Sequence, residues 1–377
     1  MVSQLIRARK AVLSIFLVNG LILGSWIPHI PLVQEKLIIG EGLLGLALLS
    51  MAAGAVIFMP ISGVWITRLG SRKITTLTAF AYCFALPLPI MAPSFVTLLL
   101  ALFFFGAFFG AMDVAMNAQA VAIEKRFTKP IMSSFHGFFS VGGLLGSGIG
   151  GLILAFEVNP LLHALLISGL MFIITALVYR HFLPKNVDTT AKKTKFVLPK
   201  GPVLALGILA FMVLLAEGAI TDWSSVYITK VLQTGPGIAA LGYASFSLMM
   251  AIGRLSGDRF VANMGAVKIT RLTSLIAAIG LGTTLLIEHP IAAIIGFGCV
   301  GLGLSNLIPI IFSAAGRVPN MAASTSIAAV ATAGYFGFLA GPPIIGLMAE
   351  YTGLPMALGL VVLAISSIAV CASIVRK

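Results

Sequence analysis

The sequence is short of charge. Only 9% of its 377 residues are Asp, Glu, Lys or Arg, whereas 59% are hydrophobic. A soluble globular domain carries roughly 25% charged residues, and a chain this poor in charge cannot cover its core with a wetted surface. The shortage therefore excludes a soluble protein and predicts a membrane protein.

Cysteines and catalytic motifs are scarce as well. Cys83, Cys299 and Cys371 all fall inside apolar runs, so the sequence indicates neither a disulfide framework nor a metal site. A phosphate-binding Gly-Lys-Ser/Thr loop is absent, which argues against ATP as an energy source. The scattered polar residues suggest no catalytic triad. We therefore expect no enzyme activity and no cofactor.

Long apolar runs are what the sequence has in abundance. Each is long enough for the ~20 residues that a helix needs to cross the hydrocarbon core. We therefore predict an all-α membrane protein with twelve transmembrane helices. The runs lie near 11–33, 42–67, 74–93, 95–123, 131–156, 160–182, 203–229, 237–258, 268–287, 290–316, 320–349 and 353–375.

Basic residues outnumber acidic ones, 24 to 11, and they are unevenly placed. All of the Lys and Arg except Lys36, Lys230 and Arg254 fall on one side of the predicted membrane. The positive-inside rule assigns that side, with both termini, to the cytoplasm of a bacterial inner membrane. The excess is thus a topology signal and does not indicate a nucleic-acid partner. We expect a monomer whose partners are lipid, a small solute and protons.

The two halves of the chain are similar to each other. Residues 69–78, "LGSRKITTLT", and 264–273, "MGAVKITRLT", share six of ten positions. We predict two pseudo-symmetric six-helix bundles, 1–182 and 202–377, joined by a Lys-rich cytoplasmic linker at 183–201. Repeats in this parallel arrangement place a solute site near the membrane midplane, between the halves.

A motif after the second run resembles one of the major facilitator superfamily. "GVWITRLGSRK" (63–73) carries its Gly, Arg and Gly-x-Arg-Lys pattern, although Thr67 stands where an Asp is usual. The second half supplies an Asp-Arg pair in "GRLSGDRF" (253–260). The resemblance implies a cytoplasmic gate held by charged side chains. The residues that would hold it are Arg68, Arg72, Asp258 and Arg259.

Two further runs resemble the fucose-permease branch of proton-coupled sugar symporters. "GAMDVAMNAQ" (110–119) has an acid followed four residues later by Asn, and "SSFHGFF" (133–139) has a polar residue ahead of its Phe residues. Asp113, Asn117 and His136 would take the places of that branch's functional side chains. The branch's acid in the first helix is missing, and this chain offers only Asn19 and His29 there.

Asp113 is the acid that the sequence singles out most clearly. It lies near the middle of the fourth run, where an ionised carboxylate costs about 2.5–3.5 kcal/mol. No Lys or Arg lies at the middle of any run as we place them, which favours a carboxyl group that gains and releases a proton. The alternative is a structural hydrogen bond or ion pair. For Asn117 and His136, solute binding and an ordinary inter-helix hydrogen bond are equally weighted.

The seventh run carries a second group of polar residues. Glu217, beside Gly218 in "AEGAITDWSS", is a second candidate proton site, and the interrupted apolar pattern predicts local unwinding of this helix. Asp222 and Trp223 lie nearer the outer surface, and Trp26 matches Trp223 in the first half. These tryptophans either stack on a solute or form part of an interfacial belt. Asn306 is the counterpart of Asp113 in the second half.

Together these observations predict a secondary transporter that moves a small neutral polar solute, such as a sugar, with protons. Asp113 and Glu217 would carry protons, while Trp26, Asn117, His136, Asp222, Trp223 and Asn306 would contact the solute. One alternative is a proton-coupled exporter of amphipathic compounds, which apolar walls and 15 Met would suit. Another is a membrane sensor that does not transport, for which the central linker would be the partner-binding element.

Overall fold

The computed structural model describes residues 2–127, 131–184, 200–319, 321 and 323–376, except for the side chains of residues 2, 3, 258, 323 and 324. The described residues are helical, with fifteen α-helices and no strand. The helices are α1 (Val2–Trp26), α2 (Ile30–Leu37), α3 (Glu41–Leu69), α4 (Ser71–Ala85), α5 (Pro87–Met91), α6 (Phe95–Glu124), α7 (Met132–Ala155), α8 (Pro160–Val178), α9 (Pro202–Val226), α10 (Pro236–Met264), α11 (Ala266–Ile287), α12 (Pro290–Leu304), α13 (Leu307–Ala315), α14 (Ala323–Thr352) and α15 (Leu354–Val370).

The described helices make 12 segments that are long and apolar enough to cross a membrane, which confirms the prediction from the apolar runs. Three of these segments each contain two α-helices. They run from Gln4 to Leu37, from Ser71 to Met91 and from Pro290 to Ala315. Proline takes the first position of α8, α9, α10 and α12. A backbone N–H at that position has no partner within the helix, and proline has no N–H to leave unpaired.

The sequence repeat corresponds to a repeated corner in the structure. Gly70 separates α3 from α4 with φ 92°, and Gly265 separates α10 from α11 with φ 81°. A residue with a Cβ is strained in this region, whereas glycine enters it freely. The matching glycines of "LGSRKITTLT" and "MGAVKITRLT" therefore turn the chain between consecutive helices in the same way in each half.

The described chain divides into two compact units. Unit 1 contains Met1–Ile39, Leu46–Ala191 and Gly235–Ala244, and unit 2 contains Gly40–Gly45, Lys192–Thr234 and Ser245–Lys377. The start of α10 belongs to unit 1, where the Ser147 hydroxyl donates to the Ala240 carbonyl at 2.8 Å. The start of α3 belongs to unit 2, where the Gly42 N–H donates to Glu350 at 2.8 Å. The predicted linker lies outside the described residues from 185 to 199.

In unit 1, α1 packs along α7 through glycines. A Cβ at Gly142 would overlap the Leu17 carbonyl, and one at Gly20 would overlap the Phe139 carbonyl. Small residues let membrane helices approach until their backbones touch, which replaces the missing hydrophobic driving force with dense packing. The glycine run of α7 therefore sets the spacing of this helix pair.

Substitution Gly142→Ala is expected to lower the thermal unfolding midpoint of the detergent-solubilised protein. Its methyl group would force α1 and α7 apart, and overpacking of this kind costs about 1–3 kcal/mol. Gly148→Ala, on the same helix, is the matched control because nothing lies within 4 Å of a Cβ placed there. Equal midpoints for the two variants would show that the helix pair tolerates the added volume.

The segment Pro290–Ala315 is interrupted between α12 and α13. Ser305 and Asn306 form a turn there, and Pro309 has no N–H to donate to the Ser305 carbonyl. Our prediction had placed the unwinding in "AEGAITDWSS" instead. That prediction is wrong, because α9 runs unbroken from Pro202 to Val226 and continues as a π-helical turn over Tyr227–Val231. Glycine, threonine and serine weaken an apolar pattern without removing any backbone donor.

Candidate transport site

Asp113 lies on α6 of unit 1, half-buried, with Asn117 one turn further along the same helix. The Asn117 amide nitrogen donates to the Asp113 backbone carbonyl at 2.8 Å and to its Oδ1 at 3.1 Å. No ion pair of Asp113 is found among the described residues. The structure therefore joins these two predicted site residues in a side-chain hydrogen bond and leaves the carboxyl group without a described cation.

Helix α1 lies beside this pair and reaches both α6 and α7. Its Asn19 amide donates to the sulfur of Met116, on α6, at 3.5 Å. Its Phe16 ring meets the His136 ring, on α7, edge to face at 5.4 Å between centroids. The Asn19 Oδ1 is buried and has no hydrogen-bond partner in the described part of the chain. Asn19, one of the two polar residues that we noted in the first run, therefore contacts Met116, which lies three residues after Asp113 on α6.

Glu217 in unit 2 has a partner that sequence reasoning did not assign. The Arg254 guanidinium lies 3.3 Å from its Oε1, with the two side chains 18% and 19% exposed. Arg254 lies four residues before the end of the predicted run at 237–258, whereas α10 continues to Met264. A search for opposite charges in neighbouring runs could have found this pair.

Asn306 lies beside that ion pair in the chain's second half. Its amide nitrogen donates to the Gly253 carbonyl at 2.9 Å and to the Ser305 hydroxyl at 2.9 Å. Gly253 directly precedes Arg254, so the turn between α12 and α13 is tied to the helix that carries the cation. A pocket of about 350 Å³ opens from Asn306 toward Arg317. Unit 2 therefore holds a polar cluster at the point where its tenth membrane segment is interrupted.

Each tryptophan that we predicted to meet the solute is buried in its own unit. Trp26 packs against Phe105 at 6.3 Å between ring centroids, and Trp223 is fully buried in α9. Each indole N–H lacks a hydrogen-bond partner among the described residues, as do the neighbouring hydroxyls of Ser25 and Ser224. Buried donors of this kind are ordinarily satisfied. The two Trp-Ser pairs thus present the same unpaired polar groups in each half.

Asp222 is likewise buried, with 5% of its surface exposed, next to Trp223. No hydrogen bond or ion pair is found for its carboxyl group in the part of the chain that the structure describes. Asp222 therefore lies in the same polar stretch of α9 as Trp223 and Ser224. Its role in solute binding stays a prediction.

The predicted gate residues lie at one end of the helices. Arg72 donates to the Arg180 carbonyl at 3.3 Å, within unit 1. Arg68 and Arg259 are exposed, and the Thr67 hydroxyl donates to the Val64 carbonyl at 2.7 Å. The side chain of Asp258 lies outside the described residues. A charge relay between the halves therefore stays a prediction, and the contact described for Arg72 is to backbone.

The family can now be assigned. The sequence model of the Major Facilitator Superfamily matches residues 12–342. The chain belongs to the major facilitator superfamily. It is also 38% identical over 376 residues to an uncharacterized MFS-type transporter of Yersinia pestis, covering 100% of this chain and 97% of that one. The superfamily assignment makes this chain a multi-pass membrane transporter and confirms that it is not an enzyme.

Solved superfamily structures share the fold. The nucleoside transporter NupG matches with a TM-score of 0.76 at 12% identity, over 98% of this chain and 99% of that one. The E. coli fucose:proton symporter FucP matches with a TM-score of 0.64 at 17% identity, over 98% of each chain. At these identities the likeness extends to the twelve-helix architecture and leaves the solute open.

Proposed function

We propose that this superfamily member is a proton-coupled symporter of a small neutral polar solute, such as a sugar, working by alternating access. The observation that carries the proposal is the Asp113–Asn117 pair on α6. Asp113 is a carboxyl group inside a membrane-spanning helix, hydrogen-bonded to an amide and without a described cation. Ionisable groups in such positions ordinarily mark ion or proton pathways.

The charges of unit 2 support a neutral solute. Arg254 is the cation that could attract an anion, but Glu217 offsets its charge at 3.3 Å. The other polar groups described in unit 2 include the Asp222 carboxyl group, the Asn306 amide, the Ser224 hydroxyl and the Trp223 indole N–H, all of which can hydrogen-bond the hydroxyls of a sugar or nucleoside. NupG and FucP are named for solutes of this kind, which is consistent with the proposal.

A second candidate is an organic anion, and the same ion pair favours it. A proton on Glu217 would remove the negative charge that lies 3.3 Å from the Arg254 guanidinium. A carboxylate or phosphate on the solute would then replace Glu217 as its partner. Under this alternative Glu217, and not Asp113, would link the proton to the solute.

The test is solute-driven proton flux in proteoliposomes, reported by a pH-sensitive dye in the lumen. Sugars, polyols, nucleosides, organic anions and hydrophobic cations are applied in turn, with protein-free vesicles and a protonophore as controls. Proton uptake with a neutral polar solute is the expected result. Uptake with organic anions alone would select the second candidate, and release with hydrophobic cations would select an exporter. The absence of flux with every solute would contradict proton coupling.

A further inference from the structure

A basic pocket opens at one end of unit 1, apart from Asp113 and its neighbours. Its volume is about 390 Å³, and three guanidinium groups and one imidazole face it without any carboxylate among the lining residues. The lining residues are Gln4, Arg7, Arg72, Arg180, His181, Phe182, Leu183 and Pro184. We call this the basic pocket.

The wall of the basic pocket is held in place by a buried amide. The Gln119 Nε2 donates to the Leu183 carbonyl at 3.0 Å, and the Leu183 N–H donates to the Gln119 Oε1 at 2.9 Å. The same nitrogen donates to the Ser71 hydroxyl at 2.6 Å. The Gln119 side chain is fully buried and joins the first residue of α4 to the chain that leaves α8.

A further contact links Arg72 to the chain at Arg180. Arg72 follows Ser71 at the start of α4, and its guanidinium donates to the Arg180 carbonyl. The first N–H groups of α4 lie at the same corner, and a helix N-terminus favours a negative charge. The exposed Arg180 guanidinium donates through its Nε to the Tyr179 hydroxyl at 3.2 Å, which leaves its terminal nitrogens for a ligand.

The setting of the basic pocket indicates where its ligand comes from. The pocket lies where apolar membrane segments end, on the side that the Lys and Arg distribution assigns to the cytoplasm. Apolar side chains close in sequence to the lining residues are exposed, among them Ile6 at 45%, next to Arg7, and Leu177 at 68%, three residues before Arg180. Basic pockets between transmembrane helices at the cytoplasmic surface bind anionic lipid headgroups. Acyl chains beside Ile6 and Leu177 would place a headgroup at the level of the arginines.

We propose that the basic pocket binds an anionic phosphate group, with Arg7, Arg72 and Arg180 as its charged contacts. Planar guanidinium groups pair with phosphate oxygens through two parallel hydrogen bonds, which matches the three arginines gathered here. The chemistry is shared by an anionic phospholipid headgroup and by a free phosphate, and the exposed apolar surface favours the lipid.

The test is a titration of the purified full chain in a non-ionic detergent, with native mass spectrometry as the measurement of bound probe. The probes are a short-chain phosphatidylglycerol, the zwitterionic phosphatidylcholine of the same chain length, and inorganic phosphate. Arg7→Gln and Arg180→Gln are each expected to weaken phosphatidylglycerol binding about fivefold, the effect of one basic residue near the headgroups. Lys73→Gln is the matched control, because exposed Lys73 adjoins Arg72 without lining the pocket.

The titration distinguishes a phospholipid headgroup from a free phosphate as the bound group. Phosphatidylglycerol binding that phosphatidylcholine and equimolar inorganic phosphate do not reproduce or displace assigns the site to lipid. Displacement by equimolar inorganic phosphate assigns it to a soluble anion. The proposal is overturned if the arginine variants bind like wild type, or if Lys73→Gln weakens binding as much as they do. Unchanged unfolding midpoints of the variants would show that lost binding is not lost folding.

Discussion

Substitution of Asp113 by asparagine is expected to reduce solute-driven proton uptake to the level of protein-free vesicles. Asparagine has nearly the same size and retains a carbonyl oxygen that accepts from the Asn117 amide, so the hydrogen bond at 3.1 Å is preserved. The new side chain has no titratable proton. Any coupled flux that passes through this group should therefore stop while the helix stays intact, and the measurement is the luminal pH dye with the best solute of the panel.

The decisive control separates lost coupling from lost folding. Exchange of labelled solute across the vesicle membrane at equal concentrations needs no net proton movement, so Asp113→Asn should retain it. An unchanged thermal unfolding midpoint would confirm that the variant is folded. If instead proton uptake persists, Asp113 is structural, and Glu217 becomes the group to test.

The second large effect concerns the Glu217–Arg254 pair. Arg254→Gln or Glu217→Gln alone would leave one charge inside a membrane segment without its described partner, which costs roughly 3–5 kcal/mol for a buried pair. With 18% and 19% of the side chains exposed, the lower end of that range applies. The double variant Glu217→Gln/Arg254→Gln removes both charges. We expect each single variant to lower the unfolding midpoint by roughly 4 °C, because the unfolding entropy of a 377-residue chain is about 0.8 kcal/mol/K, and the double variant to recover most of it.

The comparison is a double-mutant cycle, in which the non-additive part reports the pair. Arg259→Gln is the matched control, since Arg259 lies on the same helix, α10, and is exposed. Its midpoint should stay close to that of wild type. Additive losses in the double variant would show that the two side chains contribute independently despite their 3.3 Å separation.

The lengths and limits of the helices were largely predictable, because a bilayer demands long apolar segments and their turns need particular residues. The matching glycines at 70 and 265 turn the chain at equivalent places in the two copies of the sequence repeat. The place of the interruption was not foreseen. The polarity of "AEGAITDWSS" does not break α9, whereas the tenth run is interrupted where Pro309 removes a backbone donor. A missing donor alone does not decide the place, because α3 and α14 continue through Pro60 and Pro342.

The partners of the site residues were harder to predict than the residues themselves. The bond from Asn117 to Asp113 follows from helical spacing, because residues four apart are neighbours on one helix. The contacts of Arg254 with Glu217 and of Asn19 with Met116 join different helices. Such contacts depend on the rotation of each helix about its axis, and an apolar surface on all sides gives the sequence no pattern that fixes this rotation.

The turn at Ser305 and Asn306 is a point where unit 2 can bend. Bending an intact helix strains backbone hydrogen bonds, but at this point Pro309 has already removed one, so a change of angle there costs less than elsewhere. Helix α13, which follows this turn, has nine residues and is about 13 Å long. A tilt of about 10° would displace its far end by roughly 2 Å at that length. Arg317, just past that end, would move with α13, while Asn306 stays hydrogen-bonded to the Gly253 carbonyl at the turn.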